Sequence, residues 1–416
     1  MMTLPSHPLS QPFVTGLDVG TTKVRTLIAR LLPDSWTIIG HSSVEMIGGM
    51  KKATVVDLPT VKEAVAESLQ RAEQMAGIKV DQVWVGVTGQ HIRSQTVAVS
   101  LRLSPEEPVV GDGHLQELVE QAKAYADLSS DRTILHALPT HLSLNGVSGV
   151  RRPVGMAGRE LKANVHIITA FTPFLQNLEA AVRLANVKVA GLVLQPLVAG
   201  RALLTETEQQ LGTALIDIGG GTTDVAVFRD GDLVYTFAIP IGGAYVTQDL
   251  SIGLRTSLEE AETLKIRWGT VKGLLSEEEM VEVHDLGHGR ARVVSRSTIA
   301  DIIEARMREI LELVRDRLER SQWLQSLFGG AVLTGGGSLL DGCVALSEEV
   351  LQLPCRRGEP SLPLGAPQEL KSPLYSTVVG LVLYGMEKVR LKPAEKSFWK
   401  SAFQTLWNKV RALLGL

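Results

Sequence analysis

Two short segments, far apart in the chain, share the pattern that most constrains the fold. Residues 16–24 read GLDVGTTKV and residues 215–225 read LIDIGGGTTDV. Each is an apolar strand, an aspartate, a glycine turn with paired threonines, and a second β-branched strand. A repeat of this kind predicts two duplicated domains, each presenting one glycine hairpin to a shared cleft.

The segments around both hairpins alternate between helix and strand patterns. Apolar spacing predicts a helix from about 58 to 76, a buried strand at 82–90, a helix at 173–186 and a strand at 191–196. This alternation indicates an α/β sheet with helices on its faces. Residues 90–170 mix strands, one helix and a Pro- and Gly-bearing turn, which predicts a small inserted α+β module.

Composition narrows the class of protein. The net charge of -3 in 416 residues gives no whole-molecule case for nucleic-acid binding. Cys343 and Cys355 lack CxxC spacing, which argues against a zinc site or a disulfide framework and fits a reducing compartment. No signal-peptide pattern is present, and no uncharged apolar run reaches the ~18 residues that span a bilayer. We therefore expect a cytoplasmic protein.

The glycine hairpins carry the chemistry of a phosphate site. A glycine turn between strands leaves backbone N–H groups free to donate to phosphate oxygens, and hydroxyl and ammonium groups at the tip add donors. A single such hairpin is more often structural, but the matched pair favours a nucleotide. The candidate phosphate-binding residues are Gly20, Thr21, Thr22, Lys23, Gly219, Gly220, Gly221, Thr222 and Thr223.

Three aspartates lie beside these turns. Asp18 and Asp217 end buried-looking strands, where an unpaired carboxylate is expensive to desolvate, and Asp224 follows the second turn. A hydrated Mg²⁺ held through water would supply the counter-charge. The chain has no GxxxxGK[ST], which excludes a P-loop, and no GxGxxG opening a helix, which argues against a dinucleotide site.

A third glycine cluster, AVLTGGGSLLDG at 331–342, also follows an apolar strand. Gly335, Gly336 and Gly337, with Ser338, predict close backbone approach to a flat ligand at a helix N-terminus. The alternative is a plain tight turn between a strand and a helix.

The order of these motifs resembles the actin, sugar kinase and heat-shock chaperone ATPase superfamily. The resemblance implies ATP and Mg²⁺ in a cleft between two ribonuclease H-like domains. Gln195, in LQPLVAGRA, is similar to the residue that positions the attacking water. Glu262 and Lys265, in EEAETLKIRWG, resemble the Glu-x-x-Lys pair that contacts the nucleotide sugar. From the residues alone that pair reads as a solvated i,i+3 salt bridge.

Within the superfamily the chain resembles the FtsA family of bacterial cell-division proteins. DIGGGTTDVAVF, IPIGGAYVTQDL, SLEEAETLKIRWG, VLTGGGSLLDG and SPLYSTVVGLVLYG carry the resemblance, which covers about residues 13–388. It implies an actin-like two-domain α/β fold with an inserted α+β subdomain. The expected division is a disordered tail at 1–12, a first domain at 13–89, 171–204 and 373–388, an inserted subdomain at 90–170, a second domain at 205–245 and 311–372 with its own subdomain at 246–310, a linker at 389–395 and a terminal helix at 396–416.

That terminal segment reads KSFWKSAFQTLWNKVRALLGL and lacks acidic residues. On a wheel of ~100° per residue its apolar side chains fall within about 120°, with basic residues at the edges. A helix docked on the protein's own core is the alternative, but the tryptophans and basic flanks favour the surface of an anionic membrane. The candidate membrane residues are Trp399, Lys400, Phe403, Leu406, Trp407, Lys409, Val410, Arg411, Leu413 and Leu414.

Residues 296–320 form one predicted helix with charged side chains along it. The family resemblance implies that the C-terminal tail of the tubulin-like protein FtsZ docks here, whereas the residues alone indicate a solvated charged face. The candidate contacts are Arg296, Ile303, Arg306 and Glu309.

The resemblance to FtsA implies a scaffold that polymerises at the division septum on the cytoplasmic face of the membrane, tethers FtsZ and recruits later division proteins. The alternatives are a sugar kinase or an ATPase motor of the same fold, or a relative of the pilus-assembly protein PilM. A kinase needs a catalytic base beside a sugar pocket, and the sequence offers no such constellation. Because PilM lacks a terminal amphipathic helix, that helix discriminates between PilM and FtsA.

Overall fold

The structure is a computed structural model that describes residues 12–271, 279–286 and 291–391. The strands run in the following order: β1 (Phe13–Val19), β2 (Lys23–Leu31), β3 (Trp36–Glu45), β4 (Met50–Lys51), β5 (Thr54–Val55), β6 (Gln82–Val87), β7 (Arg93–Arg102), β8 (Arg132–Leu144), β9 (Val147–Ser148), β10 (Glu160–Phe171), β11 (Lys188–Leu194), β12 (Thr213–Ile218), β13 (Thr223–Arg229), β14 (Asp232–Ile239), β15 (Met280–His284), β16 (Ala291–Ser295), β17 (Ala331–Thr334) and β18 (Cys355–Arg357).

The α-helices of the described residues alternate with these strands. They are α1 (Leu58–Ala76), α2 (Asp112–Tyr125), α3 (Thr172–Leu184), α4 (Gln195–Leu203), α5 (Glu206–Leu211), α6 (Gly243–Gly253), α7 (Leu258–Trp268), α8 (Arg296–Arg320), α9 (Cys343–Leu351) and α10 (Ser376–Leu391).

Two five-stranded sheets share one topology. Their orders are β3-β2-β1-β6-β11 and β14-β13-β12-β17-β18. In each, the first three strands form antiparallel hairpins and the other two join in parallel. The glycine turns connect β1 to β2 and β12 to β13, so both lie at corresponding positions. The predicted duplication is therefore confirmed at the level of strand order.

The two sheets meet over a shared apolar base formed by α4 and α10. One buried cluster joins Leu27 and Val193 of the first sheet to Leu215 and Phe228 of the second. A Cβ at Gly200 of α4 would lie 2.3 Å from the Phe228 ring, so α4 packs closely on β13 only because this residue is glycine. The two halves are consequently joined at the base, and the glycine turns project beyond it.

The inserted module has its own sheet and core. The strand order is β7-β10-β8-β9, antiparallel throughout, and α2 covers the sheet. Alternate residues of β10, including Leu161, Val165 and Ile167, are fully buried there. This is the small α+β module predicted between the first two segments of the first domain.

Several sequence expectations need correction. Gln195 and Pro196 begin α4 and do not end a strand, because proline fits the first turn of a helix. The expected divisions after 245 and after 310 fall inside α6 and α8, so neither marks a break in the chain. No helix among the described residues is both long and apolar enough to cross a membrane. The expected tail at 1–12 and the terminal helix at 396–416 lie almost wholly outside the described residues.

Candidate functional site: a cleft between two glycine hairpins

A cavity of about 460 Å³ lies between the two sheets, on the side of the glycine turns. The turns form two of its walls, the third glycine cluster forms another, and α7 closes one side. The predicted residues that line it are Asp18, Gly20, Thr21, Thr22, Lys23, Gln195, Asp217, Gly219, Gly220, Gly221, Thr222, Asp224, Glu262, Lys265, Gly335, Gly336 and Gly337. Five segments that are separated in sequence therefore meet in one cleft.

Two predicted site residues do not face the cleft. Thr223 is fully buried, and its hydroxyl donates to the Ile241 carbonyl at 2.8 Å. Thr222 precedes it on the opposite side of the strand, since neighbouring side chains alternate, and donates to Asp224 at 2.9 Å. Ser338 is likewise buried, and its hydroxyl donates to the Gly335 carbonyl at 2.7 Å. The hydroxyls of Thr223 and Ser338 thus serve the fold, and the structure does not bring these two side chains into the candidate nucleotide site.

The tips of the two hairpins touch. A Cβ at Gly220 would lie 2.9 Å from Thr22 Cγ2, and one at Gly221 would lie 2.5 Å from Thr21 Oγ1. Carbon atoms normally stay about 3.5–4 Å apart, so side chains at these positions would separate the tips. Glycine therefore lets the turns of the two domains close over the cleft.

Asp18 has a counter-charge and a side-chain hydrogen bond. It is paired across the hairpin with Arg25, whose Nη1 lies 3.7 Å from Asp18 Oδ2. Gln195 Nε2 donates to Asp18 Oδ1 at 3.0 Å. Burial raises the pKa of Asp18, and the Arg25 guanidinium opposes that shift. Asp18 and Gln195 thus form one buried unit at the cleft floor.

Asp217 sits at the matching position of the second hairpin, but its cross-strand partner is Asp224. Burial, followed by the charges of Asp224 and Asp18, raises the pKa of Asp217 to about 8. Burial raises the pKa of Asp224 to about 6, although hydroxyls of Thr88 and Thr222 donate to that carboxylate. Three carboxyl groups thus share the floor with one guanidinium, and at neutral pH a proton or a bound cation must balance them.

The third glycine cluster fits against the same aspartate. Gly335 has a left-handed φ of +78°, and a Cβ there would lie 2.2 Å from Asp217 Oδ1. Gly337 packs equally closely against the Ile218 side chain, where a Cβ would lie 2.3 Å from Cγ2. Glycine is required at both positions for β17 and the second hairpin to form a continuous cleft wall.

Glu262 and Lys265 form a polar cluster on α7 at the cleft wall. Lys265 Nζ lies 2.7 Å from Glu262 Oε2 and donates to the Gly243 carbonyl at 3.1 Å and to Thr247 Oγ1 at 2.8 Å. Only 14 % of the Lys265 side chain is exposed, so the pair is not the solvated surface bridge that its i,i+3 spacing alone would indicate.

The donor set at the floor fits a hydrated divalent cation better than a directly ligated one. Within the described residues, no group of three His, Cys, Asp or Glu side chains is placed to hold a metal directly. Mg²⁺ usually keeps several waters and binds through one or two carboxylates and substrate phosphates. Burial raises the pKa values of Asp217 and Asp224 because it disfavours their ionised forms, and a bound cation would stabilise those forms.

The candidate partner residues on α8 are less available than the sequence indicates. Ile303 is fully buried, so a docked peptide cannot contact it in this conformation, and that assignment was wrong. Arg306 pairs with Asp249, with Nε–Oδ2 and Nη2–Oδ1 distances of 2.5 and 3.0 Å, and also with Glu309. Arg296 pairs with Glu279 at 2.9 Å. The charges on this helix are therefore used largely within the fold.

Some residues of the cleft were not anticipated from the sequence. Arg25 was missed, although Asp18 and Arg25 are separated by the same interval as Asp217 and Asp224, which is the signal that pairs them. Thr88 was missed because only the tertiary structure brings the end of β6 to Asp224. The predicted membrane residues of 396–416 lie outside the described residues.

Comparison with known proteins gives consistent matches. The family model described as "Cell division protein FtsA" matches residues 214–380, and the one described as "SHS2 domain inserted in FTSA" matches residues 89–169. The cell division protein FtsA of Pseudomonas aeruginosa is 35 % identical over 380 residues, covering 91 % of this chain and 90 % of that protein. The protein of the same name from Rhizobium meliloti is 37 % identical over 385 residues, covering 89 % and 86 %.

Solved structures of other proteins share the fold at low identity. The type IV pilus biogenesis complex PilM–PilN aligns with a TM-score of 0.64 at 16 % identity, covering 89 % of this chain and 98 % of that one. MreB5 of Spiroplasma citri, bound to ADP, gives 0.56 at 14 %, covering 92 % and 99 %. A MamK double helical filament gives 0.54 at 13 %, covering 90 % and 98 %.

These structural likenesses establish the actin-like fold, and at such identities they establish the fold alone. The PilM alternative is therefore not favoured, whereas the sequence relatives match along nearly their whole length. With its actin-like fold and its inserted SHS2 module, the chain belongs to the FtsA family of cell-division proteins.

Proposed function

We propose that the cleft binds ATP with Mg²⁺ and that nucleotide controls the assembly of this cell-division protein. The observation that carries the proposal is the meeting of two glycine hairpins over three buried carboxyl groups. The backbone N–H groups of both turns and the hydroxyls of Thr21, Thr22 and Thr222 are suited to polyphosphate. Lys23, whose Nζ lies 3.9 Å from Glu45 Oε1, lines the cleft and adds a positive charge.

The remaining walls suit the nucleoside. Glu262, whose side chain is 45 % exposed, presents an acceptor at the position proposed for the ribose. Lys265 would donate there by exchanging one of its three internal hydrogen bonds. Gly335, Gly336 and Gly337 leave backbone free of side chains for a flat base. The MreB5 protein of the same fold binds ADP, which is consistent with a nucleotide ligand for this chain.

Asp18, Asp217 and Asp224 would hold Mg²⁺ through water, and the ion would supply positive charge beside the phosphates. Gln195 donates through Nε2 to Asp18, which leaves its Oε1 as an acceptor for a water molecule. This supports the proposed role of Gln195 in positioning water. The site as proposed serves mainly as a control on assembly and has at most weak ATPase activity.

The terminal segment at 396–416 is proposed to tether the protein to the cytoplasmic face of the membrane at the septum. Its basic residues would each contribute about 1 kcal/mol near an anionic surface, and its tryptophans suit the headgroup region. One such helix binds reversibly, so filaments that present many copies would attach more firmly. Self-association is supported by the shared fold of the MamK filament.

The second partner we propose is the C-terminal tail of FtsZ, docked on α8 at Arg296, Arg306 and Glu309, and other division proteins would follow. Because these side chains already pair within the fold, docking must exchange internal ion pairs for new ones. Replacing Arg306 with Glu, with folding checked, should abolish binding of an FtsZ-tail peptide. Unchanged peptide binding would refute α8 as the docking site of the FtsZ tail.

Two measurements on the full chain test the principal claims. A fluorescent ATP analogue should bind in the presence of Mg²⁺ and lose affinity when the metal is chelated. Sedimentation with anionic liposomes should recover the wild-type protein and leave the Trp407→Glu variant in the supernatant, with ATP affinity unchanged. Absence of nucleotide binding would refute the proposed nucleotide site in the cleft. Equal sedimentation of the two proteins would refute the proposed membrane tether at 396–416.

A further inference from the structure

The tip of the short hairpin formed by β4 and β5 has a backbone that its residues do not favour. The two strands pair antiparallel, and the residues that connect them are Lys52 and Ala53, with φ values of 50° and 61°. Two successive left-handed residues define the tight turn that Asn-Gly or Gly-Gly normally fills. A lysine and an alanine here are strained, and such strain tends to persist where the position has a function.

That tip lies against the phosphate end of the cleft. Ala53 lines the cavity, and a Cβ at Gly89, where the chain enters the inserted module, would lie 3.2 Å from Ala53 Cβ. A Cβ at Gly221 would lie 3.2 Å from the Lys52 backbone nitrogen. The hairpin belongs to the first domain and Gly221 to the second, so the tip bridges the two across the cleft mouth.

The Lys52 side chain extends the same bridge. Its Nζ lies 5.8 Å from the centre of the Tyr245 ring, within the range of a cation–π contact. Among the described residues no carboxylate pairs with Lys52, and the side chain is exposed. Tyr245 is in the first turn of α6, whose Gly243 and Ala244 N–H groups donate to the Gly219 and Gly220 carbonyls at 2.8 and 2.9 Å. These hydrogen bonds anchor the first turn of α6, which carries the ring, to the second glycine hairpin.

A second cation holds the Tyr245 ring in place. Arg306 Cζ lies 5.8 Å from the same ring centre, and Asp249 and Glu309 fix the guanidinium. The ring thus connects the cleft mouth to α8, and its position is defined whether or not Lys52 contacts it.

We propose that Lys52 and Tyr245 form a clasp that closes the phosphate end of the cleft and retards release of the nucleotide. Lys52 is in this sense a positioning residue of the nucleotide site, and the inference rests on the proposed function. For the nucleotide to leave through this side, the hairpin tip must move away from Gly221 and the ammonium must leave the ring. The ammonium also adds positive charge at the end where polyphosphate would lie.

The test is the dissociation rate of N-methylanthraniloyl ATP with Mg²⁺, measured by stopped flow on the full chain. Lys52→Met keeps the apolar stem and removes the charge, and Tyr245→Leu removes the ring. Each should raise the dissociation rate about two- to five-fold, the range of an exposed cation–π contact. The double variant should release no faster than the faster single one, because both changes remove the same contact.

Three controls separate the clasp from a structural effect. Lys51→Met removes the neighbouring exposed charge and should leave the rate unchanged. Lys52→Arg keeps a cation over the ring, and Tyr245→Phe keeps the ring, so both should release at close to the wild-type rate. Rescue by these two variants would not occur if the residues merely supported folding.

The outcomes also separate this inference from the proposed nucleotide site. If the wild-type chain fails to bind the analogue, the nucleotide site is refuted and the clasp with it. If the wild-type chain binds and Lys52→Met releases at the rate of Lys51→Met, only the clasp is refuted. Fully additive effects of Lys52→Met and Tyr245→Leu would also refute it, since the two residues would then act separately.

Discussion

The two glycine hairpins share one strand arrangement but differ in the residue that faces the first aspartate. In the first, Asp18 faces Arg25 across the strands, and in the second, Asp217 faces Asp224. The first hairpin therefore supplies its own counter-charge, whereas the second accumulates like charge, and the pKa of Asp217 rises to about 8. The aspartate of the first hairpin is thus balanced by a charge within the protein, whereas the aspartates of the second hairpin require a bound proton or cation.

Removing Arg25 is the change with the largest expected effect, because it leaves the buried Asp18 carboxylate without its counter-charge. Arg25→Met should lower the free energy of unfolding by about 3 kcal/mol, the cost of leaving one member of a buried ion pair unpaired. Denaturant unfolding without nucleotide measures it. Arg30→Met, at an exposed position of the same strand, is the matched control.

The effect of Arg25→Met should shrink in an Asp18→Asn background, because the charge that Arg25 balances is then gone. A loss no greater than that of Arg30→Met would show that the first hairpin does not depend on its internal pair.

A substitution at Gly335 tests the second hairpin by crowding Asp217. Gly335→Ala places a Cβ 2.2 Å from Asp217 Oδ1 at a left-handed φ. Because the substitution introduces backbone strain of about 1–3 kcal/mol beside Asp217, we expect the affinity of the protein for ATP with Mg²⁺ to fall about ten-fold or more. Titration of a fluorescent ATP analogue measures it. Gly113→Ala is the control, since it lies at an exposed position of the inserted module and its Cβ would meet nothing within 4 Å; equal affinity of the two variants would contradict this expectation.

The smallest expected effect is a difference in pH dependence. The folded protein keeps a proton on Asp217 up to a pKa of about 8, while the unfolded chain releases it near its ordinary value of about 4. Between these values the folded state binds more protons, so the free energy of unfolding decreases as pH rises. From pH 6 to 8 we expect Asp217 to contribute a loss of about 1–2 kcal/mol without ligands.

Unfolding of the wild type and of Asp217→Asn at both pH values isolates that contribution, since the variant lacks the titrating group. The slope with pH should be smaller in the variant. Mg²⁺ with ATP should also reduce the wild-type slope, because a bound cation takes the place of the proton. Identical slopes in the two apo proteins would show that Asp217 is already ionised at neutral pH.

Local sequence patterns predicted the hairpins, several helices and the domain duplication of this protein. Glycine turns between β-branched strands predicted both hairpins, and apolar spacing predicted α1 and α8 with matching ends. The repeated motif predicted two facing domains, and the order of motifs indicated the family. These features depend on residues close in the chain, where turn geometry and side-chain periodicity act directly.

The tertiary structure decided which residues of a motif face the cleft and which are buried. Of the paired threonines in the second turn, Thr222 faces the cleft and Thr223 is buried, because the strand pleat alternates their directions. Ile303 lies in the core even though it is in a charged helix. The contact of Thr88 with Asp224, and that of Lys52 with Tyr245, join segments far apart in sequence. The sequence alone thus determined the two hairpins and their family, and packing between domains determined the charge balance and the mouth of the cleft.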